Sequence, residues 1–324
     1  MTHTITLING DGIGAEVIPA AHQVLESLEL PLEFVHAEAG FGTFEKLGSA
    51  LPPETIAACE KSDAVLFGAT QSPMTKVEGY QSPILGLRRY LDLYANLRPA
   101  IRGDIDMFIV RENTEGLYSR RERVEDGGKT AITERVITEG ASRRIVKKAC
   151  EIAMTRGKHL TLVHKANVLK ETCGLFRTVG WEVVKDFPEL QVDELLVDAA
   201  AMFMAQEPTR FDVIVTTNLF GDILSDLAAG LTGGLGIAPS ANVGDASPGV
   251  FEPVHGSAPD ITGKGIADPR AAILSAAMIL ENLGYIWEKS LLNRIVFSTE
   301  HSGSTEATTQ AIIQRIHEEK QEKS

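Results

Sequence analysis

LINGDGIGAEV, residues 7–17, decides between two folds. An apolar run from Ile5 to Ile8 precedes it, and an amphipathic stretch from Ile13 to Leu28 follows. Gly10, Gly12 and Ala15 fit the spacing G-x-G-x-x-G/A, and Glu38 stands roughly 20 residues on, near where a Rossmann dinucleotide site keeps its ribose carboxylate. Such a loop works by presenting bare backbone N–H groups and a helix dipole to a pyrophosphate. Here Asp11 lies inside the loop and Glu16 in the first helical turn. Both carboxylates repel phosphate and compete with it for the helix N-terminus. A tight turn alone accounts for the glycines. The stretch therefore reads as a structural strand–turn–helix.

Outward from it, apolar runs alternate with helical patterns over most of the chain, which points to α/β. Strands are expected near 4–8, 32–35, 64–67, 107–110, 160–163, 194–197 and 213–215. Helices are expected over 13–28, 53–60, 142–154, 168–179, 222–231, 271–283 and 306–316, with a frayed charged tail from Glu318. SRRERVEDGGKTAITER, residues 119–135, is polar, carries Gly127–Gly128 and has short alternating flanks. It fits a protruding β-hairpin or a solvated surface loop equally well.

Composition narrows the function. The 324 residues are 44% hydrophobic and 23% charged, enough for a sizeable globular core. No apolar run approaches the roughly 18 residues of a membrane span. The N-terminus lacks the pattern of a signal peptide. Cys59, Cys150 and Cys173 form no C-x-x-C pair, which argues against disulfides and zinc and for a cytoplasmic protein. The net charge of −13 disfavours nucleic acid and anionic membranes as partners. It leaves room for an anionic small molecule met by clustered basic groups.

Several motifs carry such chemistry. TTNLFGDILSDLAAGL, residues 216–231, sets Asp222 and Asp226 four apart on one helix face. With no cysteine or histidine nearby they suit a hard cation such as Mg²⁺ or Mn²⁺, although two solvated surface aspartates would look the same. Asp198 ends an apolar strand in LLVDAAAM and is a candidate third ligand. Arg88, Arg98 and Arg111 lie in LGLRRYL, ANLRPAI and FIVRENTEG, and their planar forks suit a di- or tricarboxylate. Lys165 and Tyr118 are candidate proton carriers, and a nearby cation would lower the lysine's pKa. HGSAPDITGKGIADP, residues 255–269, is glycine-rich and precedes a helix. It is a better candidate cofactor loop than residues 10–15, and composition fits a long connection equally well.

Together, GDGIG, ANLRP, RENTEGLY, HKANVL, NLFGDILSD and FEPVHGSAPDITGKG occur in the order seen in the β-decarboxylating hydroxyacid dehydrogenases, the isocitrate, isopropylmalate and homoisocitrate enzymes. The chain resembles that family over nearly its whole length. The resemblance implies an isopropylmalate dehydrogenase-like two-domain α/β fold with mixed sheets, not a Rossmann fold. Residues 1–97 with 250–324 would form the cofactor-side domain. Residues 98–249 would form a central domain whose arm, about 119–135, clasps a second subunit in a homodimer or dimer of dimers. The resemblance also implies that Arg88, Arg98 and Arg111 bind substrate carboxylates, that Tyr118 is the general acid, and that Lys165 is the general base, supplied by the partner subunit. Asp198 from the partner, with Asp222 and Asp226, would hold Mg²⁺ or Mn²⁺. Asn167 would touch the nicotinamide side of NAD, and His255, Gly256, Ser257, Ala258, Pro259 and Asp260 the adenosine side. Asp268 would stand near the adenine, where the family commonly has asparagine. A carboxylate at Asp260 implies NAD over NADP, since it repels a 2′-phosphate.

The substrate is read from YQSPILGLRR, residues 80–89. Ser82 with Ile84 and Leu85 is similar to the homoisocitrate-type pattern, placing methylenes beside the apolar pair and the distal carboxylate near Ser82 or the helix N-terminus. The expectation is NAD-dependent conversion of homoisocitrate to 2-oxoadipate and CO₂, a step of lysine biosynthesis, with isocitrate and 3-isopropylmalate as alternatives. A non-catalytic regulatory paralogue is the alternative of another class. It is disfavoured because Tyr118, Lys165, all three arginines and all three aspartates are present.

Overall fold

The computed structural model describes every residue except Met1, Lys76, Ser247 and Ser324, together with the side chain of Lys323. In chain order the elements are β1 (His3–Ile8), α1 (Gly14–Ser27), β2 (Leu32–Ala37), α2 (Phe41–Leu47), α3 (Pro53–Lys61), β3 (Ala64–Phe67), α4 (Pro83–Tyr90), β4 (Ala95–Arg102), β5 (Ile105–Glu112), β6 (Glu122–Glu125), β7 (Thr130–Thr133), α5 (Glu139–Met154), β8 (His159–His164), α6 (Thr172–Val184), β9 (Gln191–Leu196), α7 (Val197–Gln206), β10 (Val213–Thr216), α8 (Asn218–Thr232), β11 (Pro239–Val243), β12 (Gly249–Pro253), α9 (Arg270–Asn282), α10 (Ile286–Phe297) and α11 (Thr305–Lys323). They form two compact units, Met1–Leu93 with Gly234–Ser324, and Tyr94–Gly233. The sequence-based breaks at 97/98 and 249/250 would fall inside β4 and at the first residue of β12.

In the first unit the strands run β2-β1-β3-β12-β11. The first four are parallel and β11 is antiparallel to β12. The opening stretch joins β1 to α1, and its carboxylates are consumed inside the protein. Asp11 accepts hydrogen bonds from the backbone N–H groups of Phe41 (2.7 Å), Gly42 (2.9 Å) and Gln71 (2.8 Å), so it sits at the N-terminus of α2 as an anion would. Glu16 accepts from the Gly263 amide at 2.7 Å. Ile13 donates its amide to Ser257 O at 2.9 Å. Gly10 is left-handed (φ +72°), and a Cβ there would lie 2.2 Å from Ala69 O. The glycines thus serve a tight turn and close packing, and the structural reading of residues 7–17 holds.

The second unit repeats the plan with strands β4-β5-β10-β8-β9. β5, β10, β8 and β9 are parallel, and β4 is antiparallel to β5. Its core packs Met107, Ile109 and Ile214 against Leu224 and Ala228 of α8 and Met204 of α7. Truncating a buried leucine such as Leu224 to alanine would cost about 2–5 kcal/mol. β6 and β7 pair with each other as an exposed antiparallel hairpin, which resolves the 119–135 ambiguity in favour of the hairpin.

Three local expectations need correction. The helix expected from Val168 begins at Thr172, because the amides of Val168 and Leu169 both turn back to Lys165 O. β9 stops at Leu196, so Asp198 lies in the first turn of α7 rather than at a strand end. The tail from Glu318 continues α11 to Lys323, and Lys320 donates to Leu28 O and Glu29. Among the described residues, no helix is long and apolar enough to cross a membrane.

Candidate active site

Strand alternation builds the centre of the second unit. Asn96 lies opposite Arg111 in the β4–β5 ladder, and Arg98 lies two residues along on the same face. α8 covers that face through Leu224 and Ala228. Gly221 allows the close approach, since a Cβ there would sit 2.6 Å from Arg111 Cγ. Arg111 is only 2% exposed. Its Nε and Nη2 donate to Asn218 Oδ1 at 3.2 and 2.7 Å, and its Nη1 donates to Asp222. Arg98 donates to Asn96 Oδ1 (2.7 Å), Ser225 Oγ (2.6 Å) and Asp226 Oδ1 (3.2 Å), with its Nη2 3.5 Å from Asp222. A guanidinium this buried needs such partners, because an uncompensated buried charge costs several kcal/mol.

Tyr118 closes the cluster. Its hydroxyl donates to Asp222 Oδ2 at 2.7 Å, and its ring lies 5.2 Å from the Arg111 guanidinium. Burial, then the Asp222 carboxylate, pushes its pKa above the usual phenol value, so it holds its proton at neutral pH. Burial and the neighbouring Asp222 also raise the pKa of Asp226, against the pull of Arg98.

Lys165 follows the end of β8 and Asp198 follows the end of β9, the adjacent parallel strand. Lys165 donates to Asp198, and that contact holds the Asp198 carboxyl below its ordinary pKa. Asn167 is exposed two residues on. Thus Arg98, Arg111, Tyr118, Asp222 and Asp226 come together, and Lys165 with Asp198 forms a separate pair. Among the described residues, no group of three or more His, Cys, Asp or Glu side chains is arranged to hold a metal ion. Asp222 and Asp226 give two hard oxygen donors on one helix face, which suits Mg²⁺ or Mn²⁺ once a third donor is supplied.

The first unit carries the remaining candidates. Arg88 is buried and bonds Glu252 at 3.1 Å, and Glu252 also accepts from Asn242. Ser82 precedes α4 without capping it through its side chain, and Ile84 packs onto the core under α4. In the 255–260 loop, His255 Nδ1 faces Gly256 O at 3.0 Å, while its buried Nε2 has no partner. Burial lowers its pKa, so the ring is neutral at pH 7. An orphaned ring nitrogen in a loop that also carries the exposed Asp260 fits a ligand with hydrogen-bonding groups. Asp268 is engaged by Arg270, both through its side chain and through its amide at the start of α9. Gly256, Ser257, Ala258 and Pro259 lie along the loop between these groups, and the Ser257 carbonyl is already bonded to Ile13.

Sequence reasoning missed Asn96, Asn218 and Ser225, which hold the arginines. Asn96 and Ser225 each stand beside a recognised motif residue in register, a signal that was there to be read. It also passed over the role of ENTEG. Glu112 accepts from the Thr114 amide and hydroxyl and from the Glu115 amide. Glu115, 9% exposed, accepts from the Thr138 amide and hydroxyl, next to the Gly116–Val136 bridge that closes the root of the hairpin. Burial raises the Glu115 pKa to about 7, with Glu112 adding to the rise and Thr138 and Arg144 opposing it. The folded state therefore holds this proton more tightly than the unfolded chain, so stability falls as pH rises from about 4.5 to 7. Glu115→Gln does not titrate. Its melting temperature relative to wild type should rise from pH 4.5 to pH 8, as thermal unfolding at both values would show, and a constant difference would contradict the assignment.

The isocitrate/isopropylmalate dehydrogenase family model matches residues 4–316. An isocitrate/homoisocitrate dehydrogenase of Thermus thermophilus is 52% identical, over 98% of this chain and 99% of that protein. A 3-isopropylmalate dehydrogenase of Archaeoglobus fulgidus is also 52% identical, over 92% of each chain. The crystal structure of an isocitrate dehydrogenase from Methylococcus capsulatus superposes with a TM-score of 0.92 at 40% identity, covering 97% of this chain and 99% of that one. With matches across nearly its whole length, the chain belongs to the isocitrate/isopropylmalate dehydrogenase family.

Proposed function

We propose that the chain catalyses the NAD⁺-dependent oxidative decarboxylation of homoisocitrate to 2-oxoadipate and CO₂ with Mg²⁺ or Mn²⁺ bound. The observation that carries the reaction class is the cluster of Arg98, Arg111, Tyr118, Asp222 and Asp226, two cations and two carboxylates around a protonated phenol. Asp222 and Asp226 would hold the cation, with Asp198 of a second copy as the third ligand. This fits the exposed position of Asp198 and the lack of a three-acid group among the described residues. The homoisocitrate reading rests on Ser82 with the apolar pair Ile84 and Leu85 at the start of α4.

Asp222 and Asp226, with Asp198 of a second copy, would hold a cation that lends Lewis acidity at the C2 oxygen, and a bound nicotinamide would supply the hydride acceptor. Arg88, Arg98 and Arg111 bind and orient the substrate carboxylates through their planar forks. Lys165 Nζ takes the C2 hydroxyl proton as the C–H bond to C2 breaks. After CO₂ leaves, the Tyr118 hydroxyl gives its proton to the carbon that lost it. The neutral His255 and the Asp260 carboxylate would meet the adenosine half of NAD⁺.

The test is a coupled measurement of NADH and CO₂ with homoisocitrate. The two should form in equal amounts, and both should cease with chelator. NAD⁺ should exceed NADP⁺ in kcat/KM by at least about 10-fold, the order expected of one like-charge contact with a 2′-phosphate. Equal efficiency with NADP⁺ would remove the Asp260 assignment, and full turnover in chelator would remove the metal site.

A further inference from the structure

Glu194, on β9, accepts four hydrogen bonds. Arg177 gives two, at 2.7 and 2.6 Å, Trp181 Nε1 gives one at 2.8 Å, and His164 Nε2 is 3.2 Å away. The Arg177 contact leads in holding the carboxyl near a pKa of about 2, so it is charged throughout the working range. His164 is the last residue of β8 and is 3% exposed. On its other side, the Ala166 amide donates to His164 Nδ1 at 3.2 Å. A backbone amide can only donate, so Nδ1 must be bare and the neutral ring must carry its hydrogen on Nε2, facing Glu194. The imidazole is thereby fixed from both sides. Ala166 stands directly between Lys165 and Asn167, and the next amides, Val168 and Leu169, turn back to Lys165 O.

We propose that His164 and Glu194 are positioning residues for the Lys165 side of the site: the carboxylate orients the imidazole, and the imidazole pins the backbone that aims Lys165. The proposal rests on the reading of Lys165 as proton acceptor. Neither residue touches substrate. The bond from Ala166 to the ring fixes where the chain leaves β8, and a displacement of about 1 Å at a reacting group can cost roughly 10²-fold in rate.

The direct test needs no substitution. Nitrogen-15 spectra of the full-length protein, labelled at histidine, should show His164 with hydrogen on Nε2 and a bare Nδ1; the opposite tautomer would overturn the proposal. Three variants then separate positioning from packing. In His164→Asn the side-chain oxygen stands near the Nδ1 position and still accepts from Ala166, whereas His164→Leu fills the core and accepts nothing. With homoisocitrate, NAD⁺ and Mg²⁺, His164→Leu should lose roughly 30- to 100-fold in kcat with KM for substrate within about twofold of wild type. His164→Asn should recover most of that kcat even though its melting temperature is no higher than that of His164→Leu. Glu194→Gln should lower kcat in the same sense and let the His164 ring sample both tautomers. A purely structural role predicts that kcat per folded molecule follows stability, with His164→Asn the worse variant; that ranking, or wild-type kcat in His164→Leu, would refute positioning. Lys165→Ala is the separating control, since normal turnover there would remove the underlying reading, whatever the His164 variants do.

Discussion

Lys165→Ala and Tyr118→Phe are each expected to lower turnover by about 10²- to 10⁴-fold, and mixing the two should bring activity back. Lys165 and Asp198 pair with each other, apart from the cluster around Asp222. If both residues serve the cluster of a second copy, each dimer has two sites, each built from both chains. In a heterodimer of the two variants, one site then carries intact Tyr118 and intact Lys165, and the other carries neither. Purified heterodimers should recover roughly half the wild-type turnover, as follows from a closed two-fold dimer with shared sites. Recovery should be absent when both substitutions are in the same chain. Heterodimers as inactive as the parents would mean that Lys165 does not act across an interface.

Asp222→Asn should be as damaging for a different reason. The substitution keeps size and removes charge from an atom group that Arg111, Arg98 and Tyr118 all address. Cation affinity should drop, and turnover with saturating substrate should fall at least about 10²-fold, the range for losing one preorganised electrostatic contact. Isothermal titration with Mn²⁺ checks the cause separately from the rate. Binding as tight as wild type in the variant would take Asp222 out of the metal site. Arg111 keeps its two bonds to Asn218, so the variant should fold, and circular dichroism would confirm it.

Much of this was legible in the sequence because short-range spacing carried it. Asp222 and Asp226 share a helix face by their four-residue interval. The misfit of Asp11 and Glu16 with a phosphate was enough to refuse a dinucleotide motif whose glycines matched. The structure adds where those carboxylates go, onto the amides of α2 and the 263 loop. The supporting contacts that join residues far apart in sequence were not legible. Glu194 meets His164 across thirty residues, and Asn218 meets Arg111 across 107. α7 was hidden for a different reason. VDAAAMFMAQ follows β9 without a turn residue, so strand and helix run together as one apolar stretch. The ENTEG turn was noticed for its resemblance, whereas its physical basis is a pair of carboxylates spent on backbone amides at the root of the hairpin.

The proposed specificity for homoisocitrate has the distal carboxylate met at Ser82 and the methylenes at Ile84 and Leu85. Its most direct test is kcat/KM with NAD⁺ and Mg²⁺ for homoisocitrate, isocitrate and 3-isopropylmalate in parallel, repeated in Ser82→Ala. The proposed specificity predicts homoisocitrate first, isocitrate second and 3-isopropylmalate last, because an isopropyl group leaves the serine hydroxyl without a partner. It also predicts that Ser82→Ala lowers efficiency on homoisocitrate more than on 3-isopropylmalate. Highest efficiency on 3-isopropylmalate in the wild-type protein would contradict it, and would assign Ile84 and Leu85 to a branched apolar substituent instead.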